Sequence, residues 1–445
     1  MNDDTPAPPR PARRWHLSAS AVARLFAGAL LVLAGLLTGR PDVTVLGMPL
    51  VLAVVWGVAR RPAGVTSARL GRAAYVRQRG RVEVDLRLEP PTHVAAVRLR
   101  VGAPEHRDRE VLVDGRTART LRLWFTTART GRQDAFVVDV MDTGAEAVLR
   151  ADPATVGPGA LLILPQATPL KDVPLPSRMR GLTGAHRSSR PGDGGELRDV
   201  APFVPGDRLR RIDWKTTARR AGSAAATGTG VPELFVRRTF TTSEAAVILV
   251  LDARDAVGPD VSTWSIGDLH PDEATSLDLA RRAAAALAQR YLDQGDRVGL
   301  IDPGRHRRLL RPAAGRRQLH RILHQLALAE PQGEHTLRLR APQIPSGAMV
   351  VVFSTYLDDD AAWLARMWRH AGHRTLAVDV LPWLTPDRLP PKGRTALRIV
   401  GMERVERLAA LAAVGVEVVA WEAGPQRAGG QVALATLSRT RRGRR

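Results

Sequence analysis

Cysteine is absent from the 445 residues, which excludes disulfides, thiolate metal sites and cysteine nucleophiles. Lysine is nearly absent too: Lys171, Lys215 and Lys392 are the lysines among 66 basic residues. The rest are arginines spread over every segment, as a coding bias would spread them, whereas a nucleic-acid footprint clusters on one face. No Gly-x-x-x-x-Gly-Lys-Ser/Thr loop is present, so the chain has no Walker-type nucleotide site of its own, and no Gly-x-Ser-x-Gly elbow marks a hydrolase serine. Internal repeats with a period of roughly 20 to 50 residues are also missing, which argues against a solenoid or propeller.

What the chain does have is charge and length. Its 66 basic and 44 acidic residues leave a net charge of +22, and 445 residues give room for two or three domains with cores of their own. Two apolar runs, Ala21 to Thr38 and Val43 to Ala59, lie near the N-terminus with only Gly39-Arg40-Pro41-Asp42 between them. Each approaches the roughly 17 to 20 residues that cross a bilayer as helix, and Arg24 sits where it can snorkel. A cleaved signal peptide would need an Ala-x-Ala-like site, and a second span follows instead. The runs therefore predict a transmembrane hairpin over 16–60. Arg10, Arg13 and Arg14 on one flank and Arg60, Arg61, Arg69 and Arg72 on the other outnumber Arg40 in the connector. By the positive-inside bias both flanks face the cytoplasm, which predicts a cell-membrane protein with both termini and its globular part inside, against an anionic leaflet.

From Arg81 the side chains alternate, with Val82, Val84, Leu86 and Leu88 on one face and charged residues on the other. This period of two predicts a half-buried strand. Similar runs at 95–101, 110–113, 121–125 and 136–140, punctuated by Pro90-Pro91, Asp114-Gly115 and Thr130-Gly131, predict an antiparallel sandwich of immunoglobulin-like size over 81–165. The segments 1–15 and 425–445 read as basic tails, and 61–80 as a juxtamembrane linker. A Pro-rich passage and a polar stretch, Gly181 to Gly195, read as linker within 166–240, and the Ala/Gly/Thr run Ala221 to Gly230 reads as flexible. From Val247 strands and helices alternate, which predicts a mostly parallel sheet covered on both faces over 241–424. The expected fold class is α+β multidomain: helical hairpin, antiparallel sandwich, then a doubly wound α/β domain.

The densest stretch runs from Arg198 to Arg219. Pro205-Gly206 suits a tight turn, Asp207 could cap a helix from Leu209 to Ala221, and Ile212 and Trp214 could anchor it. Arg198, Pro205, Gly206, Asp207, Arg211, Ile212, Asp213, Trp214, Ala218 and Arg219 could equally form a partner-binding surface. This run closely resembles the signature of the bacterial domain of unknown function 58 family, although Asp199-Val200 stands where Glu-Tyr is usual and Arg238 to Thr242 where acids are common. That family has no settled chemistry. The resemblance implies a C-terminal domain similar to von Willebrand factor A domains. It also implies company with MoxR-type AAA+ ATPases and transglutaminase-like membrane proteins, hence an adaptor rather than an enzyme.

Von Willebrand A domains often hold a divalent ion on an Asp-x-Ser-x-Ser run. The equivalent here is Asp252-Ala253-Arg254-Asp255-Ala256, where Arg254 and Ala256 replace both hydroxyls; Ser354-Thr355 follows the central strand, with Asp358, Asp359 and Asp360 close behind. Oxygen count and charge argue against Mg²⁺ or Ca²⁺ at a degenerate site of Asp252, Arg254, Ala256 and Thr355. His320 and His324, four apart on a predicted helix, have no third ligand in view. No catalytic residue and no cofactor are assigned. The rival readings are a metal-dependent hydrolase built on Asp358 to Asp360, or a binder of anionic lipid or nucleic acid through arginine.

Overall fold

The computed structural model describes residues 13–76, 80–104, 106–157, 160–176, 186–227, 233–264, 273–303, 310–331, 342–386, 388–422 and 429–439. Arg10, residues 181–185 of the polar stretch, residues 228–230 and the terminal run from 440 lie outside them. The chain divides into two compact units, the first made of residues up to 128 with 132–163 and 270–272, the second of 129–131, 164–269 and 273–445.

The first unit begins with β1 (Trp15–Leu17), α1 (Ala19–Thr38) and α2 (Pro41–Ala59). Both helices are long and apolar enough to cross a membrane, with mean hydropathy of 2.1 and 1.9 over their best windows. Outward residues such as Phe26, Leu37, Leu46 and Leu52 are exposed, so the hairpin presents a continuous apolar face. The two helices pack through glycines. A Cβ placed on Gly47 would lie 2.6 Å from the Gly28 carbonyl oxygen, and one on Gly35 would lie 2.5 Å from the Thr44 nitrogen. Small residues at such crossings let backbones approach and gain dispersion contacts that lipid cannot supply. Gly47→Leu is accordingly expected to weaken the hairpin by about 1 to 3 kcal/mol through overpacking. Faster tryptic cleavage at Arg40 in micelles, relative to the parent chain, measures it.

The strands β2 (Ser67–Leu70), β3 (Ala74–Val76), β4 (Arg81–Glu89), β5 (Val94–Gly102), β6 (Arg109–Asp114), β7 (Arg119–Thr126), β8 (Gly131–Asp134), β9 (Val137–Gly144), β10 (Leu149–Ala151), β11 (Ala154–Val156) and β12 (Ala160–Ile163) follow. One antiparallel sheet has the order β1-β10-β9-β5-β6 with β11 on β9; in another, β4 pairs with β2, β3 and β7; β8 pairs with β12. Val82, Val84, Leu86 and Leu88 of β4 share one apolar cluster with Val97, Leu99, Val138 and Val140, so the alternation read in the sequence places one face of each sheet in a common core. Two expectations need correction. The 61–80 linker contains β2 and β3, both paired to β4. The described end of the N-terminal tail is also fixed, since Arg13 Nε donates to the Asp152 carbonyl and Trp15 begins β1.

The second unit contains β13 (His186–Pro202), α3 (Trp214–Thr227), β14 (Phe235–Ser243), β15 (Ala246–Leu251), α4 (Ser276–Asp293), β16 (Arg297–Ile301), β17 (Leu310–Ala313), α5 (Arg316–Ala327), β18 (Met349–Ser354), α6 (Asp360–His370), β19 (Thr375–Asp379), α7 (Pro391–Ala413), β20 (Glu417–Ala420) and α8 (Gly430–Arg439). Its sheet runs β17-β16-β15-β18-β19-β20, parallel except for the antiparallel edge strand β17. Val247, Leu249 and Leu251 of β15 join one apolar cluster with α4 and α5, while Ile248 and Val250 join another with α6 and α7. A strand buried on both faces must be apolar at every position, which is why Val247 to Leu251 shows no alternation.

The segment read as linker, 166–240, is structured where it is described. Leu170 and Val173 enter the core, and the Tyr291 hydroxyl donates to the Pro174 carbonyl at 2.5 Å. The polar stretch from His186 is the start of β13, paired antiparallel to β14 through register shifts, and the run after Ala221 continues α3 as far as Thr227. Polar composition hid both, because a two-stranded ribbon and a helix each satisfy their backbone hydrogen bonds whatever the side chains are. The basic tail is likewise helical from Gly430 to Arg439.

Candidate functional site

Strand order reverses between β15 and β18, so the loops leaving these strands diverge and open a crevice at the sheet's C-terminal end. Asp252 follows β15 and is held there by its N–H, which donates to the Phe353 carbonyl at 3.0 Å. Arg254, two residues on, folds back over it. Its Nε donates to Asp252 Oδ1 at 2.8 Å and its Nη2 to Asp252 Oδ2 at 2.9 Å, a bidentate pair. The same guanidinium reaches Asp358 Oδ1 at 3.0 Å and Asp360 Oδ2 at 2.5 Å. Ser354 Oγ completes the shell by donating to Asp252 Oδ2 at 2.7 Å, and Thr355 Oγ1 donates to Asp255 Oδ2 at 3.2 Å.

Three carboxylates thus converge on one planar cation that is 8% exposed. Burial works against the charged guanidinium, but the hydrogen bond and charge of Asp252, then Asp358, more than offset it, and the Arg254 pKa is raised. Asp255 has its pKa raised first by burial and then by the charges of Asp252 and Asp358, against the hydrogen bond from Thr355 and the charge of Arg254. A divalent ion would have to displace Arg254 from both Asp252 oxygens, and Ala256 supplies no side-chain oxygen and packs against the core instead. The residues present do not fit an ion.

Two further arginines, both from α7, hold the β18–α6 loop. Arg404 pairs with Asp379 at the end of β19 and donates Nε to the Thr355 carbonyl at 2.7 Å; Arg407 donates Nη1 to the Tyr356 carbonyl at 2.9 Å and pairs with Asp359 at 2.5 Å. Tyr356 itself sits at φ 53°, a left-handed conformation costly for a bulky residue, and is fixed by burial and by its hydroxyl donating to the Val352 carbonyl at 3.0 Å. The Asp358 to Asp360 run is therefore tied to Arg254 and Arg407. Sequence reasoning singled out Arg254 and these aspartates but missed the role of Arg404, Arg407 and Asp379, whose meeting depends on the crossover of α7. His320 and His324 lie exposed on α5, and among the described residues no group of three His, Cys, Asp or Glu side chains is placed to hold a metal.

The signature segment is a turn between β13 and α3. Gly206 takes φ 108°, which glycine alone adopts at low cost. Asp207 closes the turn by accepting from Val204 N–H at 3.0 Å and from Arg238 at 3.3 Å. It does not cap a helix, since a single 3-10 turn, Leu209–Arg211, comes next and α3 starts only at Trp214. The cap is Asp213, which accepts from Thr216 N–H at 3.1 Å and faces Arg237 at 3.6 Å. These backbone donors, ahead of the neighbouring arginines, hold both carboxyls below the usual aspartate range despite partial burial. Ile212 bridges to Val236, and Asp213 N–H donates to the Phe235 carbonyl at 2.8 Å, so the turn is pinned to β14. Arg198 pairs with Asp199 at 3.0 Å.

Trp214 does not anchor the turn. It is 67% exposed, and Leu209 (69%) and Val204 are exposed with it. Ala218 shares its outward face, and Pro205, Arg208, Arg210, Lys215 and Arg219 are exposed around it, while Arg211 is half-buried.

Over residues 199–410 the chain matches the family model described as "Protein of unknown function DUF58". Two proteins of Mycobacterium tuberculosis and one of Mycobacterium bovis, each bearing the name of an uncharacterized protein, are 29% identical to it over 211 residues, 45% of this chain and 59% of each relative. The chain thus spans less than two thirds of the length of these curated relatives. No solved structure matches it. The exposed turn and the arginine-filled sheet end both lie within the stretch that is similar to the DUF58 family model.

Proposed function

We propose that this protein is a membrane-tethered adaptor that grips partner proteins through the turn between β13 and α3. The observation that carries the reading is the solvent-facing Trp214 beside Leu209 and Val204, on a backbone pinned by Asp207, Asp213 and Ile212. A large aromatic on a preorganised turn loses little entropy on docking and dominates binding when a partner covers it. The doubly wound sheet with its polar cluster at the C-terminal strand ends supports the likeness to a von Willebrand A domain. With Arg254 in the crevice, such a domain would bind without an ion.

The resemblance to the family makes a MoxR-type AAA+ ATPase the first partner to test, with a transglutaminase-like membrane protein as client. The excess of arginine at Arg13, Arg14, Arg60 and Arg61 over Arg40 supports insertion of the hairpin with both flanks in the cytoplasm. The full chain in detergent is expected to capture the ATPase from the same cell. Trp214→Ala should weaken capture by at least about 30-fold, the range of a hot-spot residue, while leaving the unfolding midpoint of the chain unchanged. Absence of association in both nucleotide states of the ATPase, by pull-down and cross-linking, overturns the reading.

A further inference from the structure

The outward face of the β6-β5-β9-β10 sheet carries a depression that neither the adaptor surface nor the sheet crevice uses. In register across the strands, Leu112, Arg98 and Met141 form one row, and Ala96, Thr143 and Arg150 form the next. Ala96 is small where its outward neighbour along the strand is an arginine, so the sheet dips there. The result is an open groove of about 590 Å³, lined by Ala96, Arg98, Leu112, Met141, Thr143 and Arg150, with Gly144 and Ala147 at one end. Its floor is mostly apolar and its walls carry two cations. Glu110 also lines it and pairs with Arg98 at 2.8 Å, whereas Arg150 has no carboxylate partner among the described residues.

The end formed by Gly144 and Ala147 fixes where the groove lies relative to the hairpin. In the same 144–148 segment, the Ala145 carbonyl and the Val148 side chain press against Gly57 in the last turn of α2, and Arg24 of α1 donates to the Glu146 carbonyl at 2.7 Å. Trp56, next to Gly57, is exposed and has the Arg60 guanidinium 4.2 Å above its ring. A tryptophan and an arginine at the end of an apolar helix mark the boundary between bilayer and water. The Gly144 and Ala147 end of the groove lies beside that end of the hairpin, and Leu112, 71% exposed, lies in the row farther from it.

We propose that this groove holds the headgroup of an anionic phospholipid, its phosphate between Arg98 and Arg150 and its glycerol end toward Gly144 and Ala147, beside the hairpin. The proposal rests on the hairpin lying in a bilayer. An acidic protein strand could also seek cations beside the edge strand β6, but it would leave the continuity between groove and hairpin without a purpose, and charge on a phosphate suits a paired arginine wall.

The test uses the full chain in nanodiscs of phosphatidylglycerol or phosphatidylcholine, transferred to detergent, with retained lipid counted by native mass spectrometry. Phosphatidylglycerol is expected to be retained in preference to phosphatidylcholine. Arg150→Gln should lower that retention about five-fold, and Arg98→Gln with Arg150→Gln about 25-fold, since each cation near an anionic lipid contributes comparably. Ala96→Leu, which fills the dip and removes no charge, should lower it as well, while Arg398→Gln, at an exposed position of α7, should not. Equal retention of both lipids, or retention unchanged in the Arg150 and Ala96 variants, overturns the proposal. Displacement by soluble glycerol 3-phosphate would assign the groove to a free phosphate ester, and displacement by an acidic peptide to a protein; either overturns it. Alkaline carbonate extraction is run beside it: a parent chain released from membranes would overturn the hairpin reading itself.

Discussion

Replacing Arg254 with alanine is expected to destabilise the full chain by about 3 to 5 kcal/mol, the cost of breaking a buried ion pair and leaving its partner charges behind. Asp252 is 7% exposed and would lose both of its guanidinium contacts, while Asp358 and Asp360 keep partial access to water, which places the effect toward the lower end. A fall in the urea midpoint at unchanged slope measures it. Arg254→Lys should recover only part, because an ammonium cannot make the bidentate contact to Asp252 while reaching the other two aspartates. Millimolar Mg²⁺ or Ca²⁺ should raise the midpoint of the alanine variant, whose freed oxygens suit a hard cation, and leave the parent chain unchanged. A midpoint that falls by less than about 1 kcal/mol equivalent would show that the clamp contributes no more than a surface pair.

Asp278→Ala is expected to be comparably severe. Asp278, at the start of α4, is 1% exposed and accepts from Thr130 N–H at 2.7 Å, Thr130 Oγ1 at 2.6 Å, Thr275 N–H at 3.1 Å and Thr275 Oγ1 at 2.8 Å. It also pairs with Arg281 at 3.2 Å and lies 3.9 Å from Arg129, both arginines being buried. Burial lowers the Arg281 pKa against the pull of Asp278, so removing the carboxylate leaves a buried cation with its offsetting charge gone. The expected loss is about 3 to 5 kcal/mol. Combining Asp278→Ala with Arg281→Met should cost less than the sum of the two single changes, and strict additivity would show that the groups do not act on each other.

Periodicity made the regular parts of this chain legible. The alternation from Val82 to Leu88 gave β4 its inward face, and the unbroken apolar run from Val247 to Leu251 marked a strand covered on both sides. The apolar lengths of α1 and α2 were visible because a run long and apolar enough to cross a bilayer is legible in composition alone. The structure departs from the reading where stability comes from backbone pairing or charge instead. β13 and β14 pair through polar sequence, and Pro174 and Leu175 are fastened by single hydrogen bonds to their carbonyls from Tyr291 and Arg374.

At the candidate sites, the resemblance to von Willebrand A domains set Asp252, Arg254, Ala256 and Thr355 at one degenerate site, with the Asp358 to Asp360 run close behind. It could not show that the arginine would become the shared counter-ion of these aspartates, since 104 residues separate Arg254 from Asp358. For Trp214 the sequence left two readings open, an anchor of the turn or part of a partner-binding surface. A tryptophan beside an isoleucine usually signals burial, but Asp213 caps α3 one residue earlier and turns Trp214 outward.

The position of Thr130 has a consequence for synthesis on the ribosome. It belongs to the second unit although the first unit's strands flank it in sequence, and 148 residues separate it from Asp278. At translation rates of roughly 5 to 20 residues per second, Thr130 emerges some 7 to 30 seconds before the carboxylate it serves. The order of emergence therefore gives the first unit time to form while the second still lacks the helix that Thr130 will join.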